Sequence, residues 1–198
     1  MNKPLAFLLL GLALGLPSLA HAADTSAAAT AALPGQSLYN LQATLTDQHG
    51  QPLQWAALRG RPQLVSMFYG NCHLMCPLII ENAKALQQQL PEAQRKQLDV
   101  AMLTLDPARD TPEALAEVAH HHRAPADWRF LRPEADAVRA IASLLDVRYR
   151  FREDGSINHT SVLVLLDGEG RIRARAEVEN MIPDPQLLAS VQQVLDEH

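Results

Sequence analysis

Two continuous apolar runs, each followed by a helix-start signal, constrain the fold of this chain more than any other feature. The first run, Gln63–Tyr69, leads into Pro77, which stands where the first turn of a helix tolerates proline. The second run, Leu98–Leu105, is followed by Thr111 as a helix N-cap and by Pro112 at the first helical position. The apolar residues that follow Pro77 at helical spacing are Ile79, Ile80, Ala83, Leu86 and Leu90. A strand followed by a helix, twice in succession, predicts an α/β domain.

The segments on either side extend this pattern. Alternating apolar and polar residues in Leu41–Trp55 flank a turn at Gly50 and predict a β-hairpin that opens the domain. A second hairpin is predicted around Asp167–Gly170, and Asp184 followed by Pro185 indicates the start of a last helix. A third helix before that hairpin is indicated by the apolar residues Ala137, Val138, Ile141, Leu144 and Leu145. This order predicts a thioredoxin-like α/β fold, with a central mixed sheet flanked by helices and an N-terminal β-hairpin.

The first 22 residues have the build of a secretory signal peptide. A short basic segment carrying Lys3 precedes an apolar stretch from Leu5 to Leu16, and the small residues around Ala22 predict cleavage after that position. A retained membrane anchor is the alternative. Glycines and a proline interrupt the stretch, however, and it is shorter than the roughly 20 residues that a spanning helix needs. We therefore expect the chain to be exported.

The remainder divides into a leader and one domain. Residues 23–36 are small and polar without a bulky apolar period, which predicts a flexible leader, and residues 37–198 are enough for one domain with one core. Lys3 is the only charged residue before position 23, so the mature chain keeps 16 basic and 22 acidic residues. A nucleic-acid partner is not expected, because it would require a basic patch. Export implies an oxidising compartment, the periplasm.

The chain has only two cysteines, Cys72 and Cys76, and they lie between the first predicted strand and its helix. Residues four apart lie on one face of a helix, so both sulfurs can point the same way if the turn is helical. The helix dipole is expected to lower the pKa of both thiols. Two convergent thiolates make a soft site that selects Cu(I). The alternative is a structural disulfide, which would close so short a loop that it stabilises the fold only weakly.

A site that also holds Cu(II) requires a nitrogen ligand, so the histidines are the next candidates. His159 precedes a buried strand, on a loop from which its side chain can project over the edge of the sheet. His73 and Met75 lie between the cysteines and offer a nitrogen and a thioether. The run His120–His122 ends a predicted helix, where histidine suits the negative end of the dipole. Position alone leaves the choice among these ligands open.

The sequence resembles the Sco/SenC family of copper chaperones for cytochrome oxidase assembly, from about Leu38 to Val178. The segment "LRGRPQLVSMFYGNCHLMCPLI" is similar to the family's strand and C-x-x-x-C-P motif, and "TLDPARDTPEAL" to its Asp-Pro-x-Arg-Asp-Thr-Pro signature. "INHTSVLVLLDGEG" is similar to its histidine-bearing loop, and Tyr149 falls where the family tends to have an aromatic residue. The resemblance implies a thioredoxin-like copper-binding domain over residues 37–198. It also implies that the copper ligands are Cys72, Cys76 and His159.

The function implied by this resemblance is that of an exported metallochaperone carrying Cu(I), Cu(II) or both. Its expected partner is the copper-bearing subunit of a respiratory cytochrome oxidase, whose dinuclear copper site it fills or prepares, or another periplasmic copper or thiol protein. Contact with the membrane is expected only if the leader stays uncleaved. The alternative is an enzyme, a thiol-disulfide oxidoreductase with Cys72 and Cys76 as its redox pair. Two features argue against an ordinary thioredoxin: the C-x-x-x-C spacing of the cysteines, and Asn71 at the position where thioredoxins have tryptophan.

Overall fold

The computed structural model of the protein describes residues 33–72 and 75–197. Within these residues the chain forms nine strands, five α-helices and two short 3-10 helices, Leu38–Asn40 and Trp55–Leu58. The strands are β1 (Thr44–Asp47), β2 (Pro52–Gln54), β3 (Gln63–Phe68), β4 (Asp99–Thr104), β5 (Arg129–Pro133), β6 (Tyr149–Phe151), β7 (Ile157–His159), β8 (Val162–Leu166) and β9 (Ile172–Glu177). The helices are α1 (Met75–Gln88), α2 (Glu92–Arg95), α3 (Pro112–His121), α4 (Ala137–Leu144) and α5 (Pro185–Asp196).

Seven strands form one mixed sheet in the order β2-β1-β5-β4-β3-β8-β9. The central strands β3, β4 and β5 run parallel to one another, whereas β8 is antiparallel to β3 and β1 is antiparallel to β5. Strands β6 and β7 form a separate two-stranded sheet. This architecture confirms the predicted α/β fold with a mixed sheet, flanking helices and a hairpin, β1–β2, at its N-terminal side.

The strongest sequence signals are also confirmed in detail. Every side chain of β3 is buried, as a continuous apolar run predicts for a central strand. Thr111 accepts a hydrogen bond from the backbone N–H of Ala114 and so caps α3, with Pro112 in its first turn. Asp184 caps α5 in the same way by accepting from the N–H groups of Gln186 and Leu187.

Three features of the fold were not predicted, and the four-residue helix α2 is the smallest of them. Strand β5 has charged residues at both ends of its apolar pair and ends in proline, so no continuous apolar run marked it, although Phe130 and Leu131 are buried in the core. The hairpin β6–β7 was expected to be a loop around His159. Its strands have only three residues each and expose Arg150 and Phe151, so the sequence shows no buried apolar run there.

The sheet brings distant segments together at one edge. Strands β3 and β4 are parallel, so both end, at Phe68 and Thr104, on the same side of the sheet. Because β8 is antiparallel to β3, it begins on that side, directly after β7. The segments that follow Phe68 and Thr104 therefore meet the segment that precedes Val162.

The proposed signal peptide, residues 1–22, and the leader up to residue 32 lie outside the described residues. Over the described part of the chain, none of the helices has both the length and the apolar content that crossing a bilayer requires.

Candidate metal centre

Cys72, Cys76 and His159 meet at this edge of the sheet. The two Sγ atoms and a ring nitrogen of His159 all lie within 4.8 Å of one another. Cys76 Sγ and His159 Nε2 are 3.7 Å apart, although the two residues are 83 positions apart in sequence. Among the described residues, this is the one group of three or more His, Cys, Asp or Glu side chains close enough to share a metal ion.

The cysteines sit at the junction of β3 and α1. Cys72 follows the strand and is partly exposed, whereas Cys76 is the second residue of α1 and is only 3% exposed. The backbone N–H of Cys76 donates a hydrogen bond to Cys72 Sγ at 3.2 Å. This N–H is one of those that a helix start leaves without a helical partner, so the sulfur of Cys72 serves as a cap. No disulfide joins the two residues in this structure.

Burial raises the pKa of the Cys76 thiol above its ordinary value, and hydrogen bonding with Cys72 raises it further. The prediction that the helix dipole lowers the pKa of both thiols is therefore wrong for Cys76. A buried thiolate loses its hydration, and in the metal-free protein that loss outweighs the favourable field of the helix end. A bound cation would supply the missing positive charge and reverse this balance.

His159 is the last residue of β7 and pairs with Tyr149 of β6 across the hairpin. Its Nδ1 lies 3.0 Å from the carbonyl oxygen of Thr160, which assigns the ring proton to Nδ1. Nε2, the nitrogen that faces Cys76, then carries the lone pair. Orientation of an imidazole through its second nitrogen in this manner is typical of metal-ligating histidines.

Tyr69 packs against the candidate ligands, a position that could not be assigned from the sequence. Its ring meets the ring of His159 edge to face, with centroids 5.9 Å apart, and the residue is 6% exposed. Burial raises the pKa of the Tyr69 hydroxyl, a hydrogen bond with the backbone of Ile157 opposes this shift, and electrostatic interactions with Cys72 and Cys76 add to it. The available signal was its position, three residues before Cys72 at the end of a buried strand.

Asp110 fixes the backbone just before the cysteines. Its Oδ2 accepts a hydrogen bond from the N–H of Gly70 at 2.9 Å and another from the hydroxyl of Thr104. A Cβ atom on Gly70 would lie only 2.6 Å from Asp110 Oδ1, so a glycine is required at this close approach. Burial raises the pKa of Asp110, against the two hydrogen bonds that favour its ionised form. Asp110 belongs to the Asp-Pro-x-Arg-Asp-Thr-Pro segment, whose role in the site could not be assigned from the sequence.

The remaining ligand candidates are placed as follows. Met75 is the first residue of α1, is partly buried and lines an open pocket of about 450 Å³ beside Cys72 and His159. His73 lies outside the described residues. The run His120–His122 ends α3, as predicted, and the ring of His122 faces Glu81.

Comparison with known proteins places the chain in a family. Residues 32–196 match the family model described as SCO1/SenC. The chain is also 30% identical over 196 residues to a protein of Stutzerimonas stutzeri that is provisionally named as copper-binding. That alignment covers 96% of this chain and 92% of the relative.

Two solved structures are similar in fold. Arabidopsis thaliana ScoI with copper bound gives a TM-score of 0.67 at 16% identity, over 80% of this chain and 98% of that chain. BsSco, a member of the Sco family of cytochrome c oxidase assembly proteins in which a disulfide switch was identified, gives a TM-score of 0.66 at 21% identity, over 78% of this chain and 92% of that chain. Both confirm the thioredoxin-like fold. Since the family model spans nearly the whole described domain, this chain belongs to the SCO1/SenC family.

Proposed function

We propose that Cys72, Cys76 and His159 bind copper and that this chain is an exported copper metallochaperone. The observation that carries the proposal is the convergence of two thiols and one imidazole within 4.8 Å, from two segments far apart in sequence. The copper-related name of the Stutzerimonas stutzeri relative and the copper bound to Arabidopsis thaliana ScoI support the choice of metal.

The donor set suits copper in both oxidation states. Thiolates are the soft ligands that select Cu(I), whereas Cu(II) is harder and gains from an imidazole nitrogen. Binding requires both thiols to lose their protons, so the ion must offset the burial that disfavours the Cys76 thiolate.

The site is also arranged for exchange of its metal. Cys76 is buried, but Cys72 is partly exposed and borders the open pocket together with His159. A thiolate of a partner protein can therefore approach the copper from the side of Cys72 while Cys76 still holds it. Stepwise replacement of ligands is the chemistry that a delivery protein requires.

We propose that the recipient is the copper-bearing subunit of a respiratory cytochrome oxidase, at its dinuclear copper site. The description of BsSco as a member of a family of cytochrome c oxidase assembly proteins supports this choice. The leader sequence supports export to the periplasm, with attachment to the membrane if the leader is retained.

A second function, thiol-disulfide oxidoreductase, is favoured by one observation: a partly exposed thiol lies beside a buried one. In that reaction the Cys72 thiolate attacks a client disulfide, and Cys76 then displaces the client from the mixed disulfide. The client gains two electrons and two protons, and Cys72 and Cys76 become a disulfide.

The two functions are separated by offering the protein a purified copper-bearing domain of an oxidase subunit. Copper-loaded chaperone is mixed with the reduced, copper-free client, and the copper content of each is measured after separation. We expect copper to move to the client while the client thiol count stays constant. Reduction of a disulfide-containing client by the copper-free protein, without copper transfer in the first assay, would favour the oxidoreductase instead.

A further inference from the structure

The histidine of the candidate centre is carried by a hairpin outside the main sheet. Among the described residues, β6 and β7 pair only with each other. The hairpin joins β8 covalently through Thr160 and Ser161, but its tip, which includes Gly155, lies outside the main sheet's ladder of hydrogen bonds. The position of His159 relative to the cysteines therefore depends on the contacts that hold this hairpin.

Arg109 makes such a contact at the tip. Its Nη2 donates a hydrogen bond to the carbonyl oxygen of Gly155 at 2.7 Å, and its Nε donates to the carboxylate of Asp106. The side chain of Asp106 is only 8% exposed, so the guanidinium is anchored on a nearly buried partner. The fixed fork of an arginine can satisfy both acceptors at once.

The loop that carries Arg109 also holds the cysteine segment. Asp110 accepts from the N–H of Gly70, and its second partner, the Thr104 hydroxyl, accepts from the N–H of Asp106 at 2.8 Å. One short loop therefore contacts the backbone two residues before Cys72 on one side and the histidine hairpin on the other.

We infer that Arg109 is a positioning residue that holds the hairpin of His159 in place relative to the two cysteines. This inference rests on the proposed copper function. Arg109 bonds to the tip of the hairpin and to Asp106, and it acts on the metal through His159. Its loss should therefore affect Cu(II), which gains most from the imidazole, more than Cu(I), which the thiolates alone can hold.

The test is a double-mutant cycle on Cu(II) affinity, measured by competition with a chelator. Arg109→Met should lower the Cu(II) affinity of the otherwise wild-type chain by about 10- to 100-fold, the usual effect of removing a residue that orients a metal ligand. It should change the Cu(I) affinity by less than about threefold. In a His159→Ala background the same substitution should have almost no further effect on Cu(II), because the residue through which it acts is gone.

Arg61→Met is the matched control. Arg61 has a similar exposure, pairs with Asp99 and donates to the backbone carbonyl of Lys96, but it precedes β3 at the opposite edge of the sheet. We expect it to leave both copper affinities unchanged. Hydrogen exchange of the metal-free protein accompanies the cycle. The backbone N–H groups of Arg152 and Thr160 donate hydrogen bonds to the carbonyl oxygens of Ser156 and Arg148 in the hairpin. Their exchange should accelerate with Arg109→Met and not with Arg61→Met.

Arg109→Lys is used in the same cycle should Arg109→Met fail to fold. It keeps the positive charge but loses the fork, so we expect a loss of Cu(II) affinity in the same direction. Equal losses of Cu(II) affinity with and without His159 would overturn the positioning role. So would an Arg109→Met chain in which both the Cu(II) affinity and the hydrogen exchange of the hairpin amides are unchanged. A wild-type chain that binds no copper would overturn the proposed function, and this inference with it.

Discussion

At the scale of single residues, the two cysteines are chemically different. Cys72 is partly exposed and caps the start of α1, whereas Cys76 is buried beside His159 and Tyr69. From this difference we expect Cys72 to be the thiol that meets incoming reagents and Cys76 to be the thiol that retains a bound copper ion during exchange.

The reactivity of the two thiols should show this difference. In the reduced, copper-free protein at pH 8, we expect iodoacetamide to alkylate Cys72 at least about tenfold faster than Cys76, because the thiolate is the nucleophile and burial raises the pKa of Cys76. Because that pKa is raised, the alkylation of Cys76 should stay slow when the pH is increased from 7 to 9. Peptide mass measurement over time gives both rates, and equal rates in the folded protein would refute the assignment; the urea-unfolded chain is the control in which they should be equal.

His159→Ala tests the third ligand. Two thiolates are sufficient ligands for Cu(I), so the substitution should spare most of the Cu(I) affinity, but Cu(II) affinity should fall by about tenfold or more. The sulfur-to-copper charge-transfer absorption of the Cu(II) form should shift or bleach. His73→Ala is the rival variant, and His120→Ala, at the end of α3, is the exposed control. Loss of Cu(II) with His73→Ala and an unchanged spectrum with His159→Ala would make the local histidine the ligand.

The sequence predicted these residues unequally. The chemistry of Cys72 and Cys76 followed from their types, spacing and place before a helix. His159 could be chosen only through the family resemblance, because 83 residues separate it from Cys76 and only the fold joins them. The pKa of Cys76 was predicted in the wrong direction, since spacing reveals the helix dipole but not the burial that opposes it.

At the scale of elements, the site depends on three segments that leave one edge of the sheet. The strand β3 delivers the cysteines, the loop after β4 supplies Asp110, and the hairpin β6–β7 presents His159. Asp110 and Gly70 are in such close contact that the segment before Cys72 has little freedom to move.

Gly70→Ala should disturb this contact. A Cβ atom would approach Asp110 Oδ1 to 2.6 Å, so we expect the free energy of unfolding to fall by about 1–3 kcal/mol, the usual cost of overpacking a tightly packed position. Cu(I) affinity should fall as well, because the cysteine segment must shift. Gly35→Ala is the control: a Cβ atom there would have no neighbour within 4 Å, so urea unfolding should show a change within about 0.5 kcal/mol. Equal stability of the two variants would contradict the account of this contact.

Element prediction from the sequence was accurate where burial and caps are strong and failed where strands are short. The buried strand β3 and the capped helices α3 and α5 were predicted with nearly their observed limits. The missing elements were α2, which has four residues and buries none of them, β5, which mixes charged and apolar residues, and the hairpin β6–β7, with three residues in each strand. The strands β5, β6 and β7 are held in extended form by pairing with neighbouring strands, which a pattern in their own residues does not reveal.

At the scale of the whole molecule, a thioredoxin-like sheet holds two thiols and an imidazole at one edge, and the chain belongs to the SCO1/SenC family. The overall architecture was predictable because alternation of strands and helices allows few ways to bury both faces of a mixed sheet. The assembly of the site was not, since it depends on how parallel β3 and β4 and antiparallel β8 align their ends.

The most direct test is the stoichiometry of Cu(I) binding by the reduced domain under competition from a chelator. We predict one Cu(I) per chain for the wild type, because Cys72 and Cys76 are the only thiols in the sequence and their sulfurs lie within 4.8 Å of each other. Cys72→Ser and Cys76→Ser should each lose this tightly bound ion, with circular dichroism confirming that both variants remain folded. One Cu(I) per chain retained by both folded single variants would contradict the site.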